Sequence, residues 1–303
     1  MTLRLGTRRS ALALAQSGGV AATILATLGR EVELVEITTR GDVDPSALTQ
    51  IGGTGVFVTA LRDALYDGSI DCAVHSLKDL PTARAVGLVV AAIPPREDAR
   101  DVLCHPGGLT LGELPSGTRI GTGSPRRSAQ LALLGLGVVI VPIRGNVDTR
   151  LKKAIDGVDV DAVVLARAGL ARLDRLDAVS ETIDPIQMLP APGQGALAIE
   201  CREDDAGLIE LLATLDDADT RACVEAERAL LAALEAGCMA PVGALADVAD
   251  DEIYLRAVVA AVDGSDAIRR SLTGPLDDAA GLGARLAAIM LEDGAAALLG
   301  PPP

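Results

Sequence analysis

Short apolar runs recur along the first two-thirds of the chain, and each is broken by a polar turn that opens a helix. Residues 3–6 are followed by Thr7-Arg8-Arg9-Ser10 and then by an Ala-rich stretch over 11–28, where Ser10 is placed to cap a helix. Residues 32–38, 72–74 and 88–93 read as further strands, with a helix over 56–67 among them. Strand and helix in alternation predict a mostly parallel sheet with helices on both faces. Sheets of that kind present ligands at the carboxyl ends of their strands.

Pro94-Pro95 reads as a crossing into a second unit that repeats the pattern. A strand at 119–121 meets Thr122-Gly123-Ser124-Pro125-Arg126-Arg127, where Ser124 suits the cap and Pro125 the first helical position. Strands at 138–143 and 162–166 follow; the segment 144–150 turns into a helix that runs to about Ile155, and another helix begins at Arg167. Pro190-Ala191-Pro192-Gly193-Gln194-Gly195 is a second crossing, and 196–200 reads as a strand returning to the first unit. From about Asp216 the character changes. A long helix over 220–234 precedes strands at 242–248, 253–262 and 267–273 and a last helix over 278–298. The expected architecture is therefore α/β, with two lobes around a hinged central cleft and a small α+β C-terminal domain. Its boundaries fall at 1–94 with 196–213, at 95–195, and at 214–303.

Composition narrows the function. Of the 303 residues 49% are apolar but only 1% aromatic, so the cores are built from Ala, Val, Leu and Ile. A chain without Trp, with one Phe and a net charge of −15, is unsuited to stacking on bases or neutralising a phosphate backbone. No nucleic-acid partner is expected. The five cysteines are scattered and only two His occur, so no metal site is expected. No run of membrane-spanning length and no signal peptide is read, which makes a cytoplasmic setting the expectation.

Two features carry chemistry. The first is Ala73-Val74-His75-Ser76-Leu77-Lys78-Asp79-Leu80-Pro81, a buried strand delivering polar groups into a turn. Taken alone, it fits a solvated Lys78–Asp79 pair as well as a site. The second is a set of arginines just after strands: Arg8, Arg126, Arg127, Arg144, Arg150 and Arg172. Cations in a first helical turn oppose the helix dipole, so they need a reason. A polyanionic ligand supplies one, and pairing with the many acids is the alternative. No phosphate-binding loop of the Gly-x-x-x-x-Gly-Lys kind is present, which favours carboxylates over a nucleotide. Among the cysteines, Cys238 stands apart, in a turn between helix and strand where a thiol can act as a nucleophile.

With these motifs in order, the chain resembles the porphobilinogen deaminase (hydroxymethylbilane synthase) family. The resemblance rests on Gly6-Thr7-Arg8-Arg9-Ser10, Gly41-Asp42, Gly55-Val56-Phe57, the segment 73–81, Gly121-Thr122-Gly123-Ser124-Pro125-Arg126-Arg127, Arg144-Gly145-Asn146-Val147-Asp148-Thr149-Arg150, Ala168-Gly169-Leu170-Ala171-Arg172-Leu173, the segment 190–195, and Glu235-Ala236-Gly237-Cys238-Met239-Ala240-Pro241-Val242-Gly243. It implies two lobes like those of periplasmic binding proteins. It implies a dipyrromethane cofactor joined by a thioether to Cys238, four porphobilinogens added head to tail with loss of ammonia, and release of the linear tetrapyrrole. Asp79 would be the catalytic carboxylate. Lys78, Arg8, Ser10, Ser76, Thr122, Ser124, Arg126, Arg127, Arg144, Gly145, Arg150, Arg172 and Gln194 would bind cofactor and substrate, with Phe57 on a mobile loop near the incoming pyrrole. His75 would pack or hydrogen-bond behind the turn. A monomer with no membrane partner is implied too. Thr54 stands where many members carry Lys, which leaves loop closure open, and Ala11 replaces a frequent Pro. A binding protein for an anion and a different transferase on the same scaffold are the competing readings. The first has no use for Asp79 or Cys238.

Overall fold

The computed structural model describes residues 2–38, 55–237 and 239–299, with the side chains of 55–57 also outside the description. β1 (Leu3–Arg8) pairs in parallel with β2 (Val32–Ile37) and with β3 (Cys72–Ser76). α1 (Ala11–Leu28) and α2 (Gly55–Tyr66) connect them. The sheet continues through β10 (Leu197–Arg202) to β4 (Leu88–Ala92), in the order β2-β1-β3-β10-β4. β10 is antiparallel to both neighbours, so the sheet is mostly parallel, as strand–helix alternation predicts, with one strand reversed. The reason is the returning chain, which inserts a strand between β3 and β4 from the opposite direction.

The second lobe repeats this plan. β6 (Arg119–Thr122) is parallel to β7 (Val139–Pro142) and β8 (Ala162–Ala166). β5 (Asp101–Cys104) is antiparallel to β8, and the short β9 (Glu181–Thr182) closes the order β7-β6-β8-β5-β9. β5 was legible only as part of a crossing. It enters its sheet just after Pro94-Pro95, as β10 enters the first sheet after the second crossing. α3 (Pro125–Leu133), α4 (Val147–Asp156) and α5 (Arg167–Arg172) follow β6, β7 and β8.

The repeat extends to single residues. Arg4 holds Asp71 through its backbone N–H (2.8 Å) and Nη2 (2.6 Å), and Arg119 holds Asp161 in the same way (2.8 and 2.7 Å). Each aspartate immediately precedes the next parallel strand. Ser10 accepts from the Ala13 N–H and Ser124 from the Arg127 N–H, capping α1 and α3 as their positions predict.

Contacts divide the chain into two units, residues 1–97 with 196–221 and residues 98–195 with 222–303. α6 (Ala206–Ala213) covers the first sheet. The C-terminal segment has its own antiparallel sheet, β11 (Val242–Ala249), β12 (Glu252–Ala260) and β13 (Ala267–Pro275). Its core packs Leu230, Leu255, Leu286 and Met290 between that sheet, α7 (Ala218–Ala233) and α8 (Ala279–Glu292). The expected last helix breaks at Gly294 (φ 97°), leaving α9 (Ala295–Leu299) as a separate turn. Leu245 and Val258 on the other face of the sheet pack with Ala99 and Leu189, which is why this segment groups with the second lobe.

α1 corrects one expectation, because its 18 residues have a mean hydropathy of 1.6, enough to span a membrane by length and composition. In the fold it lies on β1 and β2. Val20 and Ile24 enter the core, and Gln16 hydrogen-bonds Ser76 at 2.9 Å.

Candidate active site

In the first lobe, the parallel strands β1 and β3 end on the same edge of the sheet. Arg8 closes β1 and Ser10 follows it. Ser76 closes β3 and is tied to α1 by Gln16. Leu77, Lys78 and Asp79 then form one tight turn, anchored by the Leu77 N–H to the carbonyl of Ala196 (3.0 Å). Leu77 and Leu80 are buried on either side, which forces the intervening pair outward. Lys78 is half-buried and Asp79 exposed. Among the described residues the Asp79 carboxylate has no hydrogen-bond or ion-pair partner, so the Lys78–Asp79 surface pair is not formed. Holding a carboxylate rigidly at a strand end without a partner is poor for stability and useful for a ligand.

His75 lies behind this turn as expected, but with company the sequence did not announce. Its Nε2 is 3.3 Å from Oε2 of Glu200, both side chains nearly fully buried. Glu200 also receives Nε and Nη2 of Arg62 at 3.1 and 2.8 Å. Burial works to raise the Glu200 pKa, but His75 and Arg62 outweigh it and hold the carboxyl below its ordinary value. The signal in the sequence was an isolated acid inside an apolar strand.

In the second lobe, the turn Thr122-Gly123-Ser124 brings α3 close to the chain after β7. A Cβ on Gly123 would stand 2.6 Å from the Ile143 carbonyl oxygen, so only glycine fits. Thr122 is buried, and its hydroxyl accepts from the Ser124 N–H at 3.2 Å. Arg126 and Arg127 are buried as well, 4% and 5% exposed, and both reach Asp101, which is fully buried at the start of β5. Arg126 Nη1 lies 2.8 Å from Oδ2, and Arg127 Nη2 lies 2.8 Å from Oδ1. Burial alone would raise the Asp101 pKa, yet the two guanidiniums outweigh it and hold the carboxyl well below the usual range. Asp101 thus accounts for arginines placed against the helix dipole. Nothing in the local sequence around residue 101 marks it as their partner.

Gln194 is 1% exposed, and its amide donates to Ala99 O and Asp101 Oδ1, both at 2.7 Å. Its partners are therefore the protein's own. The other arginines differ. Arg144 is exposed, with no ion pair among the described residues. Gly145 follows with φ 117°, a conformation that suits glycine, and Asn146 caps α4. Arg150 donates from Nε to the Gly145 carbonyl at 2.8 Å, and burial, then the charge of Arg127, pull its pKa below the ordinary value. No acid faces it in that balance. Arg172 donates to Gly195 O at 2.6 Å. The Phe57 side chain, Cys238 and the glycine-rich segment 52–54 lie outside the described residues, although residue 57 falls in the first turn of α2.

Comparison with known proteins matches the chain in two parts, the two lobes together and the C-terminal segment. The family model "porphobilinogen deaminase, dipyromethane cofactor binding domain" matches residues 3–210, and "porphobilinogen deaminase, C-terminal domain" matches 221–292. The chain belongs to the porphobilinogen deaminase family. Porphobilinogen deaminase 1 of Streptomyces coelicolor is 58% identical, covering 98% of this chain and 97% of its own length. The porphobilinogen deaminases of Nocardia farcinica and Mycobacterium tuberculosis are each 56% identical over 98% of this chain, covering 88% and 98% of their own lengths. Among solved structures, a substrate-binding domain of a putative amino acid ABC transporter from Streptococcus pneumoniae covers 71% of this chain and 91% of its own, at 15% identity and a TM-score of 0.45.

The residues present fit an acidic cofactor. The second lobe sets two buried guanidiniums against a single buried carboxylate, and Nε of Arg127 is buried with no hydrogen-bond partner among the described residues. A ligand carboxylate would supply the missing anion. A chain with one Phe and many placed arginines suits acetate and propionate side chains better than flat stacking.

Proposed function

We propose that this chain condenses four porphobilinogen molecules head to tail, losing one ammonia per addition, and releases the linear tetrapyrrole hydroxymethylbilane by hydrolysis. The covalently bound dipyrromethane would serve as the primer, attached through a thioether to Cys238. The observation that carries the reading is that the family's cofactor-binding domain, matched over 3–210, contains Asp79 and every arginine of the set, while the matched C-terminal domain contains Cys238.

Asp79 is assigned the chemistry. It is an exposed carboxylate on a turn fixed by two buried leucines, and pyrrole N–H groups are donors of the right kind for it. As ammonia leaves an aminomethylpyrrole, positive charge develops on the ring, and a fixed carboxylate stabilises that charge. The new carbon–carbon bond then requires loss of a ring proton, which the same group can accept. Arg8, Ser10, Ser76 and Lys78 are assigned to ligand carboxylates at the edge of the first sheet. Thr122, Ser124, Arg126, Arg127, Arg144, Gly145, Arg150 and Arg172 are assigned to them in the second lobe. Phe57 is assigned to the incoming pyrrole. Gln194, buried against Asp101, acts on the ligand only through the arginines.

The test is porphobilinogen consumption together with intact mass. Wild type is expected to consume porphobilinogen and to carry a dipyrromethane increment that is missing from Cys238→Ser. Asp79→Asn should lose at least about a hundredfold in turnover. Near-normal turnover would remove Asp79 from its role, and a wild type that consumes no porphobilinogen would overturn the reading. The same reading takes the protein as a cytoplasmic monomer without nucleic-acid or membrane partners. The net charge of −15 supports the exclusion of nucleic acid, and light scattering checks the monomer.

A further inference from the structure

The second unit contains three buried polar side chains in series: Asp101 meets the Gln194 side chain, and Glu227 holds the backbone of the residue before Gln194. Asp101 receives Arg126, Arg127 and Gln194, at 2.8, 2.8 and 2.7 Å. The residue before Gln194 donates its backbone N–H to Glu227 Oε2 at 2.6 Å, and Glu227 Oε1 accepts from the Ala246 N–H at 2.9 Å. Glu227 is fully buried in α7, the helix that ends at Ala233 in the approach to Cys238. Each link is buried and therefore stiff, because a buried polar group that loses its partner is costly.

The two guanidiniums cannot choose their own orientation. They sit on adjacent residues of one helical turn and would repel one another without the carboxylate between them. Each also donates to a backbone carbonyl, Arg126 to Leu189 O (2.6 Å) and Arg127 to Val164 O (3.0 Å). The side chains are thereby locked on the protein side, and the donors left over have a fixed direction. Gln130 completes the frame, exchanging two 2.9 Å hydrogen bonds with the backbone of Leu189.

We propose that Asp101, Gln194 and Glu227 are positioning residues that aim Arg126 and Arg127 at a ligand carboxylate and hold that clamp in register with the helix leading to Cys238. The inference rests on the functional reading above, in which those arginines bind cofactor or substrate. Positioning and simple charge balance predict opposite effects. If Asp101 only balances charge, Asp101→Asn raises the local positive charge and tightens carboxylate binding. If it aims the arginines, the same change weakens binding.

The experiment uses the full chain, with porphobilinogen as substrate, and measures intact mass, KM, kcat and melting temperature for Asp101→Asn, Gln194→Met and Glu227→Gln. Gln194→Met keeps the approximate shape and removes the amide that donates to Asp101 and to the Ala99 carbonyl. It is expected to melt within a few degrees of wild type, to raise KM about tenfold or more, and to leave kcat of the loaded fraction within about threefold. A fall in the fraction of chains bearing the dipyrromethane increment, at unchanged melting temperature, supports the proposal equally. Wild-type KM and full loading in Gln194→Met overturn it, as does tighter substrate binding in Asp101→Asn. A Gln194→Met chain that fails to fold also overturns it, since the residue is then structural. Should Asp101→Asn or Glu227→Gln not fold, Gln194→Met decides alone. A wild type without the mass increment and without turnover points instead to failure of the functional reading.

Discussion

Replacing Arg62 by Met should convert Glu200 from a stabilising group into a destabilising one. Arg62 grips the Glu200 carboxylate through two hydrogen bonds of 3.1 and 2.8 Å, with the two side chains only 16% and 3% exposed. Removing Arg62 leaves the buried carboxylate facing, among the described residues, only His75 Nε2 at 3.3 Å, and breaking a buried pair costs about 3–5 kcal/mol. At about 3 °C per kcal/mol, that lowers the melting temperature by roughly 9–15 °C. The double variant Arg62→Met/Glu200→Gln should recover at least about 1.5 kcal/mol of the loss, because no charge is then stranded. Dependence on pH supplies a sign. In wild type the Glu200 pKa is lowered from 4.5, so its stabilisation is present above that value and is lost as pH falls through the folded pKa. In Arg62→Met only His75 is left to oppose burial, and the pKa rises relative to wild type. The variant should therefore lose further stability relative to wild type as pH rises from about 4.5. Calorimetry across pH 4 to 7 on the four members of the cycle measures both effects. Strict additivity, with parallel pH curves, would refute the reasoning by showing that His75 alone satisfies the carboxylate. The pair also has a functional bearing. It fixes α2 to β10, the strand beside β3, whose end carries Asp79.

Two further outcomes follow from the charges. Arg144 is exposed and ion-pairs with no described residue, so Arg144→Gln should leave the melting temperature within about 1–2 °C of wild type while raising the KM for porphobilinogen about tenfold or more; unchanged KM would remove it from the binding set. Hydrogen bonds from the side chain and then the backbone N–H of Arg119 lower the Asp161 pKa from 3.8 to about 2, so its stabilisation is complete above 3.8 and disappears as pH falls through about 2. NMR titration should show that midpoint moving up toward 3.8 in Arg119→Gln, and an unmoved midpoint would assign the shift to another cause.

Much of the local structure was legible because its causes are local. Ser10 and Ser124 cap helices within three residues of themselves, and Pro125 and Gly145 sit where their backbone restrictions demand. Leu77 and Leu80 bracket Lys78 and Asp79 closely enough for the turn to be read from one segment. The insertion of β10 and β5 as antiparallel strands was not legible. Each run is apolar and strand-like in either direction, and only the neighbours it meets in space fix which way it runs. The fates of the arginines were equally hidden. Sequence grouped Arg126 and Arg127 with Arg144 and Arg150 as one cationic set, whereas folding buries the first two on Asp101 and leaves Arg144 exposed.

The sequence alone therefore determined the alternation of strands and helices, the caps, the ordered motifs that mark the family, and the position of Asp79 on a turn. Tertiary structure decided which charges oppose one another. Arg127 meets Asp101 across 26 residues, Gln194 meets Asp101 across 93, and Arg62 meets Glu200 across 138. Propensity and capping act within a helical turn or so, but electrostatic pairing acts through space, in an interior where one carboxylate can set the direction of two guanidiniums.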